Sequence, residues 1–254
     1  MRLQVKLQEK GEDMRLKVIC QSSQNKIPIH YRRKIMMMIK TYLAKQNKDL
    51  YRRLYADNVM KPYTFSVYLP QSKFEKAYIS LGESQQFVIN FSTSDAEIAI
   101  NFYNAFLEMK NEPIMWEQEL TITVQNVDIV PLAPIIEESV FLRTLSPIIC
   151  RNHNQETKKD WFHTYEDEPF LPILKRNMTF RLIDRLGAQV EYDIDALIFK
   201  PINMKKTVVK HYEKQIAGSI GTFELEGKAY LLNELVDSGI GSITGGGFGM
   251  IEKI

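Results

Sequence analysis

Between Lys26 and Lys61 the chain sets ten lysines and arginines against two acidic residues, Asp49 and Asp57, giving that segment a net charge of +8 (ten minus two). The pairs Arg32-Arg33 and Arg52-Arg53 suit phosphate, because a guanidinium offers a planar fork of donors that a lysine lacks. His30 is the one histidine of the segment, and an imidazole can give or take a proton near neutral pH. A second feature lies at the far end, where six of the chain's 12 glycines fall within Gly239–Gly249. Glycine permits positive φ and lets backbone come close to a ligand with its N–H groups turned toward phosphate. Phosphate binding and proton transfer are the chemistries these residue types allow.

The remaining charge hides the basic block. From Pro62 to Glu138 there are three basic and eleven acidic residues, −8 in sum (three minus eleven), so the 254-residue chain totals only +2. A basic segment beside an acidic one reads either as one polyanion-facing side or as a solvated helix surface. Hydrophobic residues at 44% and charged residues at 25% fit a globular chain of one large or two small domains. Cys20 and Cys150 cannot form a disulfide framework, and both sit in apolar surroundings, which suggests buried thiols in a reducing compartment. The N-terminus alternates apolar and polar residues with no apolar signal-peptide core, and no stretch approaches 18 apolar residues. The expectation is a cytoplasmic protein that does not engage membrane.

The elements that must position these groups follow from periodicity. Met1–Leu7 and Met14–Cys20 alternate as strands around a Lys10–Asp13 turn, and Pro28 is expected to open a helix running to about Ala44. A shorter helix over Lys48–Tyr55 follows, then strands at Thr64–Leu69, Ala77–Ser80 and Gln86–Ser92. Ser94 is expected to cap a helix over Asp95–Met109, and Glu119–Ile129 alternates as a strand. After Pro131–Pro134, the natural linker, the pattern starts again: strand Ser139–Leu145, helix Pro169–Leu186, strands Ala196–Val209 and Gln215–Leu225, helix Lys228–Leu235, strand Phe248–Lys253. Two β-α-β-β-α-β halves predict an α+β chain of two tandem ferredoxin-like domains, 1–133 and 134–254, with a C-terminal glycine-rich loop.

That loop is not a dinucleotide-binding turn, which must follow a strand and open a helix, and no Gly-Lys-Ser/Thr marks a P-loop. A flexible turn remains open on glycine content alone. The tail from Ser238 to Met250 reads S-G-I-G-S-I-T-G-G-G-F-G-M, and it resembles the G-x-G-x(5)-G-[FY]-G signature of the RAMP superfamily. More narrowly, the chain resembles the CRISPR-associated endoribonucleases that cut precursor crRNA within its repeats (the Cas six family). The Ile27-Pro-x-His-Tyr31 lead-in to a basic helix and Thr144-Leu-Ser-Pro-Ile148 at the start of the second half carry the likeness further.

The resemblance implies repeat-RNA cleavage without metal. The 2′-hydroxyl attacks the scissile phosphate and leaves a 2′,3′-cyclic phosphate and a 5′-hydroxyl. Such a site needs a base, an acid and donors for the extra charge on phosphorus. Two carboxylates in the basic segment are too few for a two-metal centre. Alignment on Tyr63-Thr-Phe-Ser66 puts Lys61 on a family catalytic lysine, and Tyr55 where relatives often carry histidine. The catalytic candidates are His30, Tyr55, Lys61 and Lys40. The RNA-binding candidates are Tyr31, Arg32, Arg33, Arg52, Arg53, Lys206, Gly239, Gly241, Ser242, Thr244, Gly247 and Gly249, the loop offering backbone N–H groups and two hydroxyls. His211 and Trp161 are weighed as RNA contacts against plain surface or packing roles.

No cofactor or metal is expected. The implied partners are CRISPR repeat RNA and crRNA, other Cas proteins of an effector complex, and a second copy of the chain in a homodimer. Two rival readings stay open: a non-catalytic RAMP scaffold subunit of a CRISPR effector complex, and a generic ferredoxin-like RNA-binding module. If several phosphates are neutralised at once, the logarithm of repeat-RNA affinity should fall linearly with the logarithm of salt, by roughly 0.7 per contacted phosphate on single strands. A titration across salt concentrations reads this slope, and a flat line contradicts it.

Overall fold

The computed structural model describes residues 14–57, 59–212 and 214–254. The expected Met1–Leu7 strand and the Lys10–Asp13 turn lie outside them. Two compact units emerge. Of the described residues, the first holds those from Met14 to Val59 together with Ser66–Leu132, and the second holds Met60–Phe65 together with those from Ala133 to Ile254.

In the first unit, β1 (Met14–Ser22) buries Leu16, Val18 and Cys20, the alternation seen in the sequence. Pro28 does not open a helix. It ends a short strand, β2 (Lys26–Pro28), opposite Tyr78. Helix α1 starts three residues later and spans Tyr31–Gln46, burying Ile35, Met38, Ile39, Tyr42 and Leu43 at helical spacing. Asn47 ends it with its N–H on the Leu43 carbonyl, and opens α2 (Lys48–Tyr55) by accepting from the Leu50 N–H at 2.9 Å. One residue thus caps two helices and fixes the bend between them.

Strands β3 (Tyr63–Tyr68), β4 (Lys73–Phe74), β5 (Tyr78–Ser80) and β6 (Gln86–Thr93) follow, then α3 (Ala96–Glu108). The cap of α3 is Asp95, whose carboxylate accepts from the Ile98 N–H at 3.0 Å, rather than Ser94. The last two strands are β7 (Pro113–Glu117), which periodicity did not reveal, and β8 (Leu120–Pro131). Glu119, at φ +67°, turns the chain between them. The main sheet has the order β3-β6-β1-β8-β7, with β1 antiparallel to both β6 and β8. Helices α1 and α3 pack together, and Phe91 stacks on Phe102 at 4.3 Å between ring centres.

The second unit repeats the order. Strand β9 (Ser139–Thr144) leads to a hairpin missing from the sequence reading, β10 (Cys150–His153) and β11 (Asp160–His163). Its turn residues are polar and its strands are short, so alternation gave no signal. Helices α4 (Phe170–Leu186) and α5 (Val190–Ala196) follow, the second also unforeseen. The long hairpin β12 (Ile198–His211) and β13 (Lys214–Glu226), helix α6 (Ala229–Ser238) and β14 (Ile251–Lys253) complete the unit. The sheet order is β12-β13-β9-β14, all antiparallel. Phe170, Leu174, Met178 and Leu182 of α4 and Leu231, Leu232 and Leu235 of α6 are buried with Leu142, Phe223 and Leu225 of the sheet.

Among the described residues no helix is long and apolar enough to cross a membrane. The capping geometry makes a specific prediction. Asp95→Ala should lower stability by about 1 kcal/mol, the usual cost of losing an N-cap acceptor, readable as a small fall in the thermal midpoint. An unchanged midpoint would show that the cap is dispensable.

Candidate nucleic-acid interface

In the first unit the two basic helices bring some candidates together and hold others apart. The Asn47 bend sets Lys40 Nζ 4.4 Å from the centre of the Tyr55 ring, and Tyr55 lies 5.3 Å from Tyr51. His30 sits at the N-cap of α1, but its side chain makes no capping bond. Its Nε2 lies 3.5 Å from a Glu117 carboxylate oxygen, which Lys34 approaches at 3.6 Å. Lys34 also donates to the Trp116 carbonyl. Ten residues of helix separate His30 from Lys40, about 15 Å along the axis, so His30 does not join the Lys40–Tyr55 pair. Tyr31 is buried; burial pushes its hydroxyl pKa up, and the adjacent Arg32, 4.8 Å from the ring centre, opposes the shift.

The arginines are less available than composition implied. Arg53 pairs with Glu97 on α3, and Arg52 lies 3.6 Å from Asp49. Glu97 and Glu117 both come from the acidic stretch that follows the basic block. Tertiary structure therefore neutralises part of the +8 segment with charges distant in sequence. Arg33 is exposed.

In the second unit the glycine-rich segment is almost wholly buried. Gly239, Gly241, Gly247 and Gly249 all have φ between +68° and +97°. A Cβ at Gly249 would lie 1.9 Å from the Ile240 carbonyl oxygen, and one at Gly247 would lie 2.6 Å from the Phe65 ring. The segment's N–H groups are turned inward. Ile240 donates to Gly249 O, Ser242 to Ile149 O, and Gly249 to Pro147 O. Gly239 donates to Leu235 O, Gly246 to Ile243 O and Gly247 to Thr244 O. These six N–H groups close the segment on itself and on the core rather than presenting it to a phosphate.

Its hydroxyls are also engaged. Ser242 Oγ accepts from the Arg151 N–H and from Asn177 Nδ2, both at 2.9 Å, and Thr244 Oγ1 donates to the Lys61 carbonyl at 3.2 Å. Helix α4 supplies the support. One turn beyond Asn177, Arg181 is buried and donates to the Ser238 carbonyl at 2.7 Å and to the Gly239 carbonyl. Burial pulls the Arg181 pKa down to about 10, against the favourable charge of Glu234, so it stays cationic at neutral pH. A cation at these last carbonyls also complements the C-terminal end of α6.

Two cationic or titratable side chains then meet the short helical turn Thr244–Gly246. A Cβ on Gly245 would fall 2.6 Å from Lys61 Cγ, and one on Gly246 would fall 3.4 Å from His211 Cε1. The His211 ring lies 5.3 Å from that of Phe248, which packs with Ile149 and Ile216 in the core beneath. Lys61 and His211 therefore flank one glycine turn, with 150 residues between them in sequence. Lys206, on the same strand as His211, is tied to Glu166 at 2.9 Å; that bond raises the lysine's pKa and lowers the carboxylate's. Sequence reading weighed His211 only as an RNA contact or surface group. The missed signal is the alternation of β12, which turns Thr207, Val209 and His211 to the partly buried face. Among the described residues no cluster of three His, Cys, Asp or Glu side chains could hold a metal ion.

The glycine segment is thus held between the last helix and the last strand of an antiparallel sheet. Residues 130–253 match the family described as CRISPR associated protein Cas6, C-terminal. That match takes in the C-terminal part of the chain, a little under half of its 254 residues. A curated CRISPR-associated endoribonuclease-like protein of Pyrococcus horikoshii, Cas6nc, is 30% identical over 141 residues. That alignment covers 54% of this chain and 56% of the relative, little more than half of each. The fold also matches the solved product of a Cas6-related gene from Pyrococcus furiosus, with TM-score 0.81 at 21% identity over 95% of this chain and 98% of the other. A RAMP protein solved for its binding of different RNA substrates matches with TM-score 0.80 at 22% identity, over 95% and 99%.

The glycine packing predicts a sharp contrast. Gly249→Ala should cost more than about 2 kcal/mol, because a left-handed non-glycine residue is strained and its Cβ meets a carbonyl. Gly246→Ala, whose Cβ would meet side-chain atoms only, an Ile243 methyl at 2.9 Å and His211 Cε1 at 3.4 Å, should cost less than half as much. Thermal midpoints of the two variants, measured side by side, check this.

Proposed function

We propose that the protein is a metal-independent endoribonuclease that cleaves CRISPR precursor RNA within its repeats and releases mature crRNA for antiviral defence. The observation that supports this reading most is that Lys61 lies against Gly245 and His211 against Gly246 of one glycine turn, in a unit that matches the Cas6 C-terminal family model. A histidine and an ammonium about one phosphodiester with no metal supply an acid–base pair and a cation for the transition state. His211 takes or returns the proton at the 2′-oxygen, and Lys61 stabilises the charge building on phosphorus or protonates the leaving 5′-oxygen. The products are then a 2′,3′-cyclic phosphate and a 5′-hydroxyl.

In this reading the two halves, 1–133 and 134–254, are tandem ferredoxin-like domains of a cytoplasmic protein. The first supplies Arg32, Arg33, Arg52, Arg53 and the Lys40–Tyr55 pair to the RNA, whereas Tyr31, expected from the sequence to touch RNA, is buried and serves packing. The glycine residues act by shaping the surface that carries Lys61 and His211, since the N–H groups of Gly239, Gly246, Gly247 and Gly249 donate to backbone carbonyls of the unit. The rival reading, a non-catalytic RAMP scaffold in an effector complex, draws support from His30, which faces Glu117 away from Tyr55 and Lys40.

The test is cleavage of the cognate repeat RNA in EDTA, beside a copy carrying one 2′-deoxy substitution at the cut site. The first should be cut once and the second not at all. Lys61→Ala and His211→Ala should each slow single-turnover cleavage about 10²–10⁴-fold, the usual contribution of a positioned acid or base. His30→Ala should stay within a few-fold of wild type. Failure of the wild type to cut any cognate repeat would favour the scaffold reading.

A further inference from the structure

The β10–β11 hairpin puts different chemistry on its two faces. Directly opposed residues share a face in an antiparallel pair, and the register opposes Arg151 to Phe162, Asn152 to Trp161, and His153 to Asp160. On the face carrying Phe162, that ring packs against the Ile149–Ile216–Phe248 cluster under the glycine turn. Asp160 on this face is held by Arg151 at 2.7 Å and His153 at 2.8 Å, with Lys214 at 4.0 Å. One carboxylate therefore serves three basic groups.

The opposite face carries Trp161, which is 68% exposed, whereas the chain's other tryptophan, Trp116, is 3% exposed. Beside Trp161 across the strands is Asn152, whose amide oxygen accepts from the Arg176 guanidinium of α4 at 3.1 Å. An indole, a carboxamide and a guanidinium, all planar, lie together at the surface. Among the described residues no carboxylate pairs with Arg176, or with Lys158 and Lys159 at the hairpin turn. Leaving a tryptophan in water forfeits its burial, so an exposed indole ringed by unpaired cations fits a ligand that is both planar and anionic.

We propose that Trp161, with Asn152 and Arg176, is a stacking site for an unpaired base of the RNA. An aromatic surface takes any base by its π-face, and neighbouring cations hold the phosphates that flank it. A nucleotide joins a planar base to an anionic phosphate in one unit, whereas a protein partner would have to bring an aromatic and an acidic side chain together, so RNA is the better complement. The site rests on the RNA-binding reading above and extends it. A strand held by Lys61 and His211 at the glycine turn would send its unpaired flank across the same hairpin that supports that turn through Phe162.

The experiment uses the full chain, a single-stranded repeat oligonucleotide, and tryptophan emission alongside direct binding. Trp161→Ala should weaken binding roughly 5- to 150-fold, the range of one base–aromatic stack, and Trp161→Phe should recover most of it. RNA should quench the wild-type emission, and Trp161→Phe, left with buried Trp116 alone, should lose that response. Wild-type affinity in Trp161→Ala, with emission unmoved by bound RNA, overturns the stacking site while leaving the RNA-binding reading intact. If the wild type binds no RNA at all, the RNA-binding reading itself falls and takes this site with it.

Discussion

The second unit depends on one close approach of backbone to backbone. Gly249 accepts from the Ile240 N–H at 2.8 Å while its own N–H reaches Pro147 O, and no side chain could stand between Gly249 and the Ile240 carbonyl. That contact ties the end of α6 to the lead-in of β14, and through Pro147 to the segment between β9 and β10. The eight residues between Ile240 and Gly249 become a closed loop whose walls are set by glycine. Asn177 and Arg181 then brace it from α4, using a carboxamide and a buried cation where an apolar side chain would leave carbonyls without donors. The Thr244–Gly246 turn sits at the outer end of this braced loop, so its position relative to Lys61 and His211 is fixed by packing.

Glycine here works differently from a phosphate cradle. In a cradle the N–H groups point at the ligand, and glycine is needed so that the ligand can come near. In this segment six N–H groups point inward, and glycine is needed so that the chain can come near itself. The surface chemistry then falls to side chains from elsewhere, a lysine before β3 and a histidine at the end of β12. Such a division separates the rigid support from the polar side chains set against it, an arrangement that would hold reacting atoms in register if the proposed cleavage takes place there.

Charge shows the same contrast between sequence and fold. The basic block and the acidic stretch after it look like two separated fields, yet Arg53 meets Glu97 and Lys34 meets Glu117 within the first unit. Pairing of exposed charges contributes little to stability, but it decides which cations remain for a polyanion. Around the hairpin of the second unit the balance runs the other way, because Asp160 alone faces Arg151, His153 and Lys214. A charge count along the chain could not locate that second basic area, since Arg151 and His153 lie on β10 and Lys214 on β13, about 60 residues apart in sequence.

Much of the architecture was legible from local pattern. Alternation in β1, the apolar stripe of α3, the two β-α-β-β-α-β orders and the glycine signature are properties of neighbouring residues, and periodicity reports them directly. Short elements escaped: β7, β10, β11 and α5 have too few residues to set a period. Local rules also misplaced two boundaries, since Pro28 suits a strand edge as well as a helix start, and Asp95 caps as readily as Ser94. Only the tertiary structure decided the site. Lys61 and His211 reach the adjacent glycines Gly245 and Gly246 because a hairpin register and four positive-φ glycines fold distant segments onto one core, and neither is recorded in the spacing of those residues along the chain.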